Sequence, residues 1–263
     1  MAGYVREYTG WREFAAQPLI RRELPTDVVP VMFSFGAPIA IANGHAPDRW
    51  ETHGSFTTGA YDTYVLTRCV GPSYGLQVNF TILGARLLFG VPLRELTNRV
   101  VALDEVFGRE SGLLVEQLEE APSWDARFDL IDRTLHQRLT RVMSPPAGVL
   151  CAWHRLADTR GRTSVRAIVD EVGWSQKHLV AQCHEHLGLA PKTLGRVLRF
   201  GVAVEHIKSC GPAGHTTLTD IALAAGYYDH AHFVRDCREF AGISPGGLAS
   251  ELLPDRGGFL VDR

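Results

Sequence analysis

Hydrophobic and polar positions are ordered in one way before residue 100 and in another after it. In the first part, short runs rich in β-branched and aromatic residues, at 28–35, 39–43, 62–70 and 74–83, are separated by Gly, Pro, Asn and Asp. Such runs between turn formers predict short strands, and several in succession predict an antiparallel sandwich or barrel. Beyond residue 100 the apolar period lengthens. Trp124, Phe128, Ile131, Leu135, Leu139 and Val142 recur every three or four residues and form one stripe of a long helix. The stripe is read as packing within the chain ahead of a dimerisation surface. A shorter helix over 111–119 precedes it, and Ser144-Pro145-Pro146 breaks the pattern as a linker. Everything beyond reads as helical. The predicted class is therefore α+β. A β-rich, barrel-like region spans 1–100, and a helical connector or dimerisation segment spans 101–143. An all-α domain follows over 147–253, with a tail over 254–263.

The helical region contains an internal repeat. Residues 164–191 match residues 218–245: Ile168 and Gly173 match Ile221 and Gly226 at an offset of 53, and Leu179, Cys183, Gly188 and Pro191 match Phe233, Cys237, Gly242 and Pro245 at an offset of 54. The extra residue falls just after the glycine, where a turn tolerates insertion. In each copy a short helix ends at a glycine (Gly173, Gly226), the residue best suited to a left-handed helix end. The next helix starts at a preferred N-cap, Ser175 or Asp229. It stops before a second glycine, and a proline then suits the first turn of the following helix. Two helices joined by a tight glycine-containing turn form a helix-turn-helix. A helix over 193–209 links the copies.

The faces of the second helix in each copy separate. Leu179, Cys183 and Leu187, like Phe233, Cys237 and Ala241, fall on the core side. Ser175, Gln176, Lys177, Val180 and Ala181 in the first copy, and His230, Ala231, Val234, Arg235 and Arg238 in the second, fall at the cap and on the other face. In a helix-turn-helix that face enters the major groove. These ten are the candidate DNA-binding residues. Arg235 is the leading candidate for a guanine contact, with His230 next. His232, beside the core Phe233, reads as a packing residue.

Composition alters this picture little. The chain has 263 residues, of which 45% are hydrophobic and 21% charged, as a globular protein should. The net charge of −2 argues nothing for nucleic acid by itself. Residues 160–210, however, hold eight basic side chains against four acidic ones, a mild phosphate-binding signature. Arg196, Arg199 and Lys208 on the linking helix are read as phosphate contacts. No apolar run approaches the length of a membrane helix, and the N-terminus lacks a signal-peptide pattern. The expectation is a soluble, cytoplasmic protein. Five scattered cysteines give neither a disulfide framework nor a zinc pair. His45, Glu51 and His53 lack the tight spacing of a metal motif. No cofactor, metal or enzymatic activity is expected. Trp50, Tyr61, Tyr64 and Tyr74 read as core residues before they read as the lining of a pocket.

The stretch from about 149 to 252 resembles the AraC/XylS family of bacterial transcription regulators. The matching residues are Gly173, Ser175, Leu179, Gly188, Pro191, Arg199 and Phe200 in the first half. In the second half they are Ile221, Ala222, Ala225, Gly226, His232, Phe233, Arg235, Gly242, Ser244 and Pro245. The resemblance implies a double helix-turn-helix domain on two adjacent major-groove segments of double-stranded DNA, activating or repressing transcription. It also implies an N-terminal sensory or dimerisation domain. A small-molecule effector, RNA polymerase and a second copy of the chain are the further candidate partners. The chain departs from the family where Cys183 and Cys237 replace the usual Phe, and where Val180 and Ala181 replace polar readers.

Overall fold

The computed structural model describes residues 3–139, 144–210, 216–253 and 258–261. Val142 at the end of the predicted stripe, and residues 254–257 and 262–263 of the predicted tail, lie outside them.

The N-terminal part is a near-closed antiparallel barrel framed by two long strands. Strands β1 (Val5–Glu23) and β6 (Val65–Thr81) pair along most of their length. The other edge of β6 is divided. Its residues 65–68 pair with β3 (Ile39–Asn43), which carries β4 (Trp50–His53). Its residues 75–81 pair with β2 (Val28–Ser34), which carries β5 (Phe56–Thr58) and then β7 (Val100–Ala102). The change of partner spans Gly71, whose φ of 84° suits glycine, and a register shift lies opposite in β1 between Ala15 and Leu19. The two branches curl together, so that Ile39 and Ile41 cluster with Met32, Phe56 and Val100. A cavity of about 570 Å³ remains inside.

Two expectations are corrected here. Residues 62–70 and 74–83 are not two strands, because Gly71-Pro72-Ser73 continues the strand instead of turning, paired with Ala15, Phe14 and Glu13 of β1. Pairing with β1 continues on both sides, and the Pro72 carbonyl accepts from the Ala37 N–H at 2.8 Å. The predicted end of the second strand is helix α1 (Ile82–Phe89), started by the Thr81 hydroxyl accepting from the Gly84 N–H. Strand β1 itself was not foreseen, since most of its side chains are exposed and it lacks an apolar alternation.

Helices α2 (Leu103–Phe107), α3 (Ser111–Glu120) and α4 (Trp124–Leu139) cover the barrel. The stripe on α4 packs within the chain. Ile131 and Leu135 are fully buried, Phe128 meets the Tyr8 ring of β1 at 6.1 Å, and the Tyr8 hydroxyl donates to Asp132 at 2.9 Å.

The helical half comprises α5 (Ala147–Asp158), α6 (Val165–Val172), α7 (Gln176–Leu187), α8 (Pro191–Cys210), α9 (Leu218–Ala225), α10 (His230–Ala241) and α11 (Pro245–Ser250). The segment expected as a tail returns to the barrel. Strand β8 (Phe259–Leu260) pairs with Arg21 and Arg22 of β1.

The two halves meet at the C-terminal ends of α7 and α10. Gly188, which ends α7, offers its carbonyl to the Thr97 hydroxyl at 2.7 Å. Gly242, which ends α10, lies under the Tyr64 ring, and a Cβ there would approach that ring to 2.4 Å. Arg22 of β1 donates to the Ala241 carbonyl at 2.7 Å and holds Glu251 with two further bonds of 2.8 and 3.1 Å. A guanidinium at a helix C-terminus is favoured by the helix dipole. Because Arg22 is 93% shielded from solvent, its removal strands a carboxylate and a carbonyl. Arg22→Met should lower stability by about 2–4 kcal/mol, read as a shift in the urea midpoint of full-length protein. An unchanged midpoint would show that the clamp contributes nothing.

His186, near the end of α7, supplies a pH dependence. Partial burial, and then Arg86 of α1, hold its imidazole below the ordinary value. The unfolded chain thus binds this proton more readily than the folded one. Its contribution is whole above about pH 6.5 and is lost as pH falls from there. In paired melts at falling pH, His186→Gln should lose less stability than the parent. Parallel curves would exclude His186 as the sensitive group.

Candidate nucleic-acid interface

Both helix-turn-helix units are built from local signals. Helix α6 begins where the Ser164 hydroxyl accepts from the Ala167 N–H, and ends at Gly173 with φ 73°. The Ser175 hydroxyl then accepts from the His178 N–H at 3.2 Å and starts α7. The second unit repeats this. Thr217 and Asp220 cap α9 reciprocally, Gly226 ends it with φ 89°, and the Asp229 carboxylate accepts from the His232 N–H at 2.7 Å to start α10. Hydrogen bonds from Thr217 hold the Asp220 carboxyl below its usual value.

The core faces fall as the spacing predicts. Ile168, Leu179, Cys183 and Leu187 are buried in the first unit, and Ile221, Phe233, Cys237 and Ala241 in the second. Burial pushes the thiols of Cys183 and Cys237 up to about 12, so they stay protonated and act as small apolar residues. His232 is half-buried against the Tyr227 ring at 5.1 Å, a packing position.

The opposite faces are open. Ser175, Gln176, Lys177 and Ala181 are exposed on the first unit, with Val180 half-buried between them. On α10, His230, Ala231, Arg235 and Arg238 are exposed and Val234 is half-buried. These five, with Asp229, border one shallow open depression.

Acidic side chains on these helices are drawn off by cations of neighbouring elements. Arg94 pairs with Glu185 of α7. Arg196 of α8 holds Asp236 at 2.7 Å and Glu239 at 2.5 Å on α10, and lies over the Phe240 ring. Asp236 is fully buried, and its pairing, together with that of Glu239, raises the Arg196 pKa. The expectation that Arg196 and Arg199 serve phosphates is corrected here. Arg196 is a cross-brace between helices, Arg199 donates to the Gly161 carbonyl at 3.1 Å, and Lys208 lies 5.5 Å from the centre of the Phe259 ring. Much of the basic surplus over 160–210 thus works inside the domain. Lys177 and Lys192 remain exposed.

Two residues escaped the sequence reading. Asp236 is an acid on the core side of an amphipathic helix, a mismatch that signals a buried partner. Tyr228 is the residue inserted into the second turn, next to the N-cap Asp229, and it is 89% exposed. A large aromatic with that exposure beside a recognition helix is available to a partner.

A family model described as a helix-turn-helix domain matches residues 168–250, which span α6 to α11 with little missing. The C-terminal domain is therefore an AraC-type helix-turn-helix domain, a DNA-binding class of domain. Among solved structures, ToxT from Vibrio cholerae O395 is similar over 95% of this chain and 98% of its own, with a TM-score of 0.50 at 9% identity. A structure of unsaturated fatty acid-bound wild-type ToxT from Vibrio cholerae strain SCE256 is similar over 92% and 93%, with a TM-score of 0.50 at 8% identity. At such identities the likeness concerns the fold: a barrel followed by a helical region with the helix-turn-helix domain. No curated protein sequence gives a significant match.

Separating reader from brace is direct. Arg196→Met should depress the melting temperature, since it leaves Asp236 buried and unpaired. Arg235→Ala should leave the unfolding free energy within about 0.5 kcal/mol of the parent, and so the melting temperature nearly unmoved, as a surface change does. A large melting shift for Arg235→Ala would reassign it to the fold.

Proposed function

We propose that this chain is a transcription regulator that binds DNA sequence-specifically, with α7 and α10 docked in two adjacent major-groove segments, and that a small molecule in the barrel cavity modulates it. The observation that carries the DNA part is the pair of matched units whose outer faces keep Lys177, Arg235 and Arg238 exposed while the neighbouring acids are paired away. Such a charge arrangement favours phosphates, and the N-terminal residues of each recognition helix are the ones that reach base edges.

The two helices contribute unequally. His230, Arg235 and Arg238 give α10 three hydrogen-bonding side chains, whereas α7 offers Ser175, Gln176 and Lys177 beside Val180 and Ala181. Valine and alanine contact a thymine methyl but no polar base edge. The second unit therefore supplies most of the hydrogen-bonded readout, and the first supplies position, shape and methyl contacts. The effector part is supported by a cavity whose volume suits a ligand. The fatty acid-bound ToxT structure, similar in fold, also supports a ligand-modulated regulator.

Sequencing genomic DNA retained by the purified protein would supply the operator, and gel shifts on it test the assignment. Arg235→Ala should cost about 1–3 kcal/mol on the specific site. Lys177→Ala should weaken all sequences alike and reduce the steepness of the salt dependence. Equal losses of specificity from the two variants would contradict the asymmetry, and unchanged affinity for Arg235→Ala would remove it as a reader.

A further inference from the structure

The walls of the barrel cavity differ in chemistry. The wall made by β1 and β6 carries the charged lining residues, Glu13, Arg21 and Glu23, with Gln77 and Asn79, beside Trp11, Val65 and Cys69. The facing wall, from β2, β3 and β5, presents Pro30, Met32, Ile39, Ile41 and Phe56. A ligand that fills this space has an apolar body and at least one polar group.

The charges on the polar wall indicate the sign of that group. Arg21 is the cation lining the cavity among the described residues, and both its terminal nitrogens are bound by Glu13, at 3.0 and 2.6 Å. Glu23 makes no ion pair among the described residues. Its side chain lines the cavity where solvent still reaches it; the protein atoms around it raise its pKa, against the pull of Arg21, Lys208 and the Thr67 hydroxyl. Lys208 of α8 acts on it from a distance but is held over the Phe259 ring. An incoming carboxylate would face Glu13 and Glu23 and would have to displace Glu13 from Arg21. Like charges brought together on one wall repel. A protonated nitrogen meets the opposite situation, because two carboxylates, Glu13 and Glu23, line the cavity against the single cation Arg21, and Glu13 already holds that cation.

We propose that the cavity takes an amphiphile bearing a protonated amine, whose nitrogen pairs with Glu23 while its apolar body lies against β2, β3 and β5. This rests on the reading that the cavity binds an effector, and it assigns that effector a class opposite in charge to the fatty acid of the ToxT structure.

The test uses three probes of equal chain length, n-octylamine, n-octanoate and n-octanol, titrated into the full-length protein by calorimetry and thermal shift. The amine should bind tightest. Glu23→Gln should weaken the amine by about tenfold or more and leave the alcohol unchanged. The double variant Glu13→Gln with Glu23→Gln frees Arg21 and should reverse the preference toward octanoate. That reversal also shows that the variant cavity is intact. Tighter binding of octanoate or octanol by the parent chain overturns the amine class and leaves the effector reading standing. Absence of binding by all three also overturns the amine class. The effector reading itself falls if a broad metabolite screen leaves the melting temperature unmoved as well.

Discussion

Each recognition helix ends on a glycine that touches the barrel, and the arrangement of the two halves follows from that. Gly188 and Gly242 adopt φ values of 80° and 73°, which terminate α7 and α10. The same residues also lie in contact with the other half. Gly188 sits against Thr97 and Ala60, and Gly242 against Tyr64. A side chain at Gly242 would fail twice, once on backbone conformation and once on space. Because the C-terminal ends are held on the barrel, the N-terminal ends and outer faces are left exposed. The barrel thus positions both helices without covering their outer faces.

Electrostatics follows the same partition. Acids on α7 and α10 are neutralised by arginines that belong to other elements, and exposed cations are kept on the outer faces. A near-neutral chain thereby presents a locally positive surface. Net charge is a poor guide to such a protein, since what matters is which charges are already engaged.

The parts legible in the sequence are those set by local chemistry. Ser175 and Asp229 announce their caps, and Gly173 and Gly226 their helix ends, because the stabilising hydrogen bonds reach only three or four residues. The inserted Tyr228 was visible only as a shift of offset. The barrel was legible as a class and not in detail: β1 carries few of the signals of a buried strand, and Gly71-Pro72 resembles a turn. Arg196 was read as a phosphate ligand because its partners lie forty and forty-three residues away. Arg22 was missed altogether, its partner Glu251 being 229 residues distant. Pairings of that separation leave no periodicity to read.

Strand β1 near its end faces two worlds in alternation. Arg21 and Glu23 point into the cavity, while Arg22 between them points to Ala241 and Glu251. Since side chains on a strand alternate with a period of two, gain or loss of one residue in this stretch would exchange the two sets. The interdomain clamp would then lie inside the cavity, and the cavity's charges would face the helices. The length of this short segment is therefore constrained more tightly than its composition. Circular permutation, loop grafting or fusion at the front of the chain has freedom around Ala15 to Leu19, where the register already slips, and none between Arg21 and Glu23.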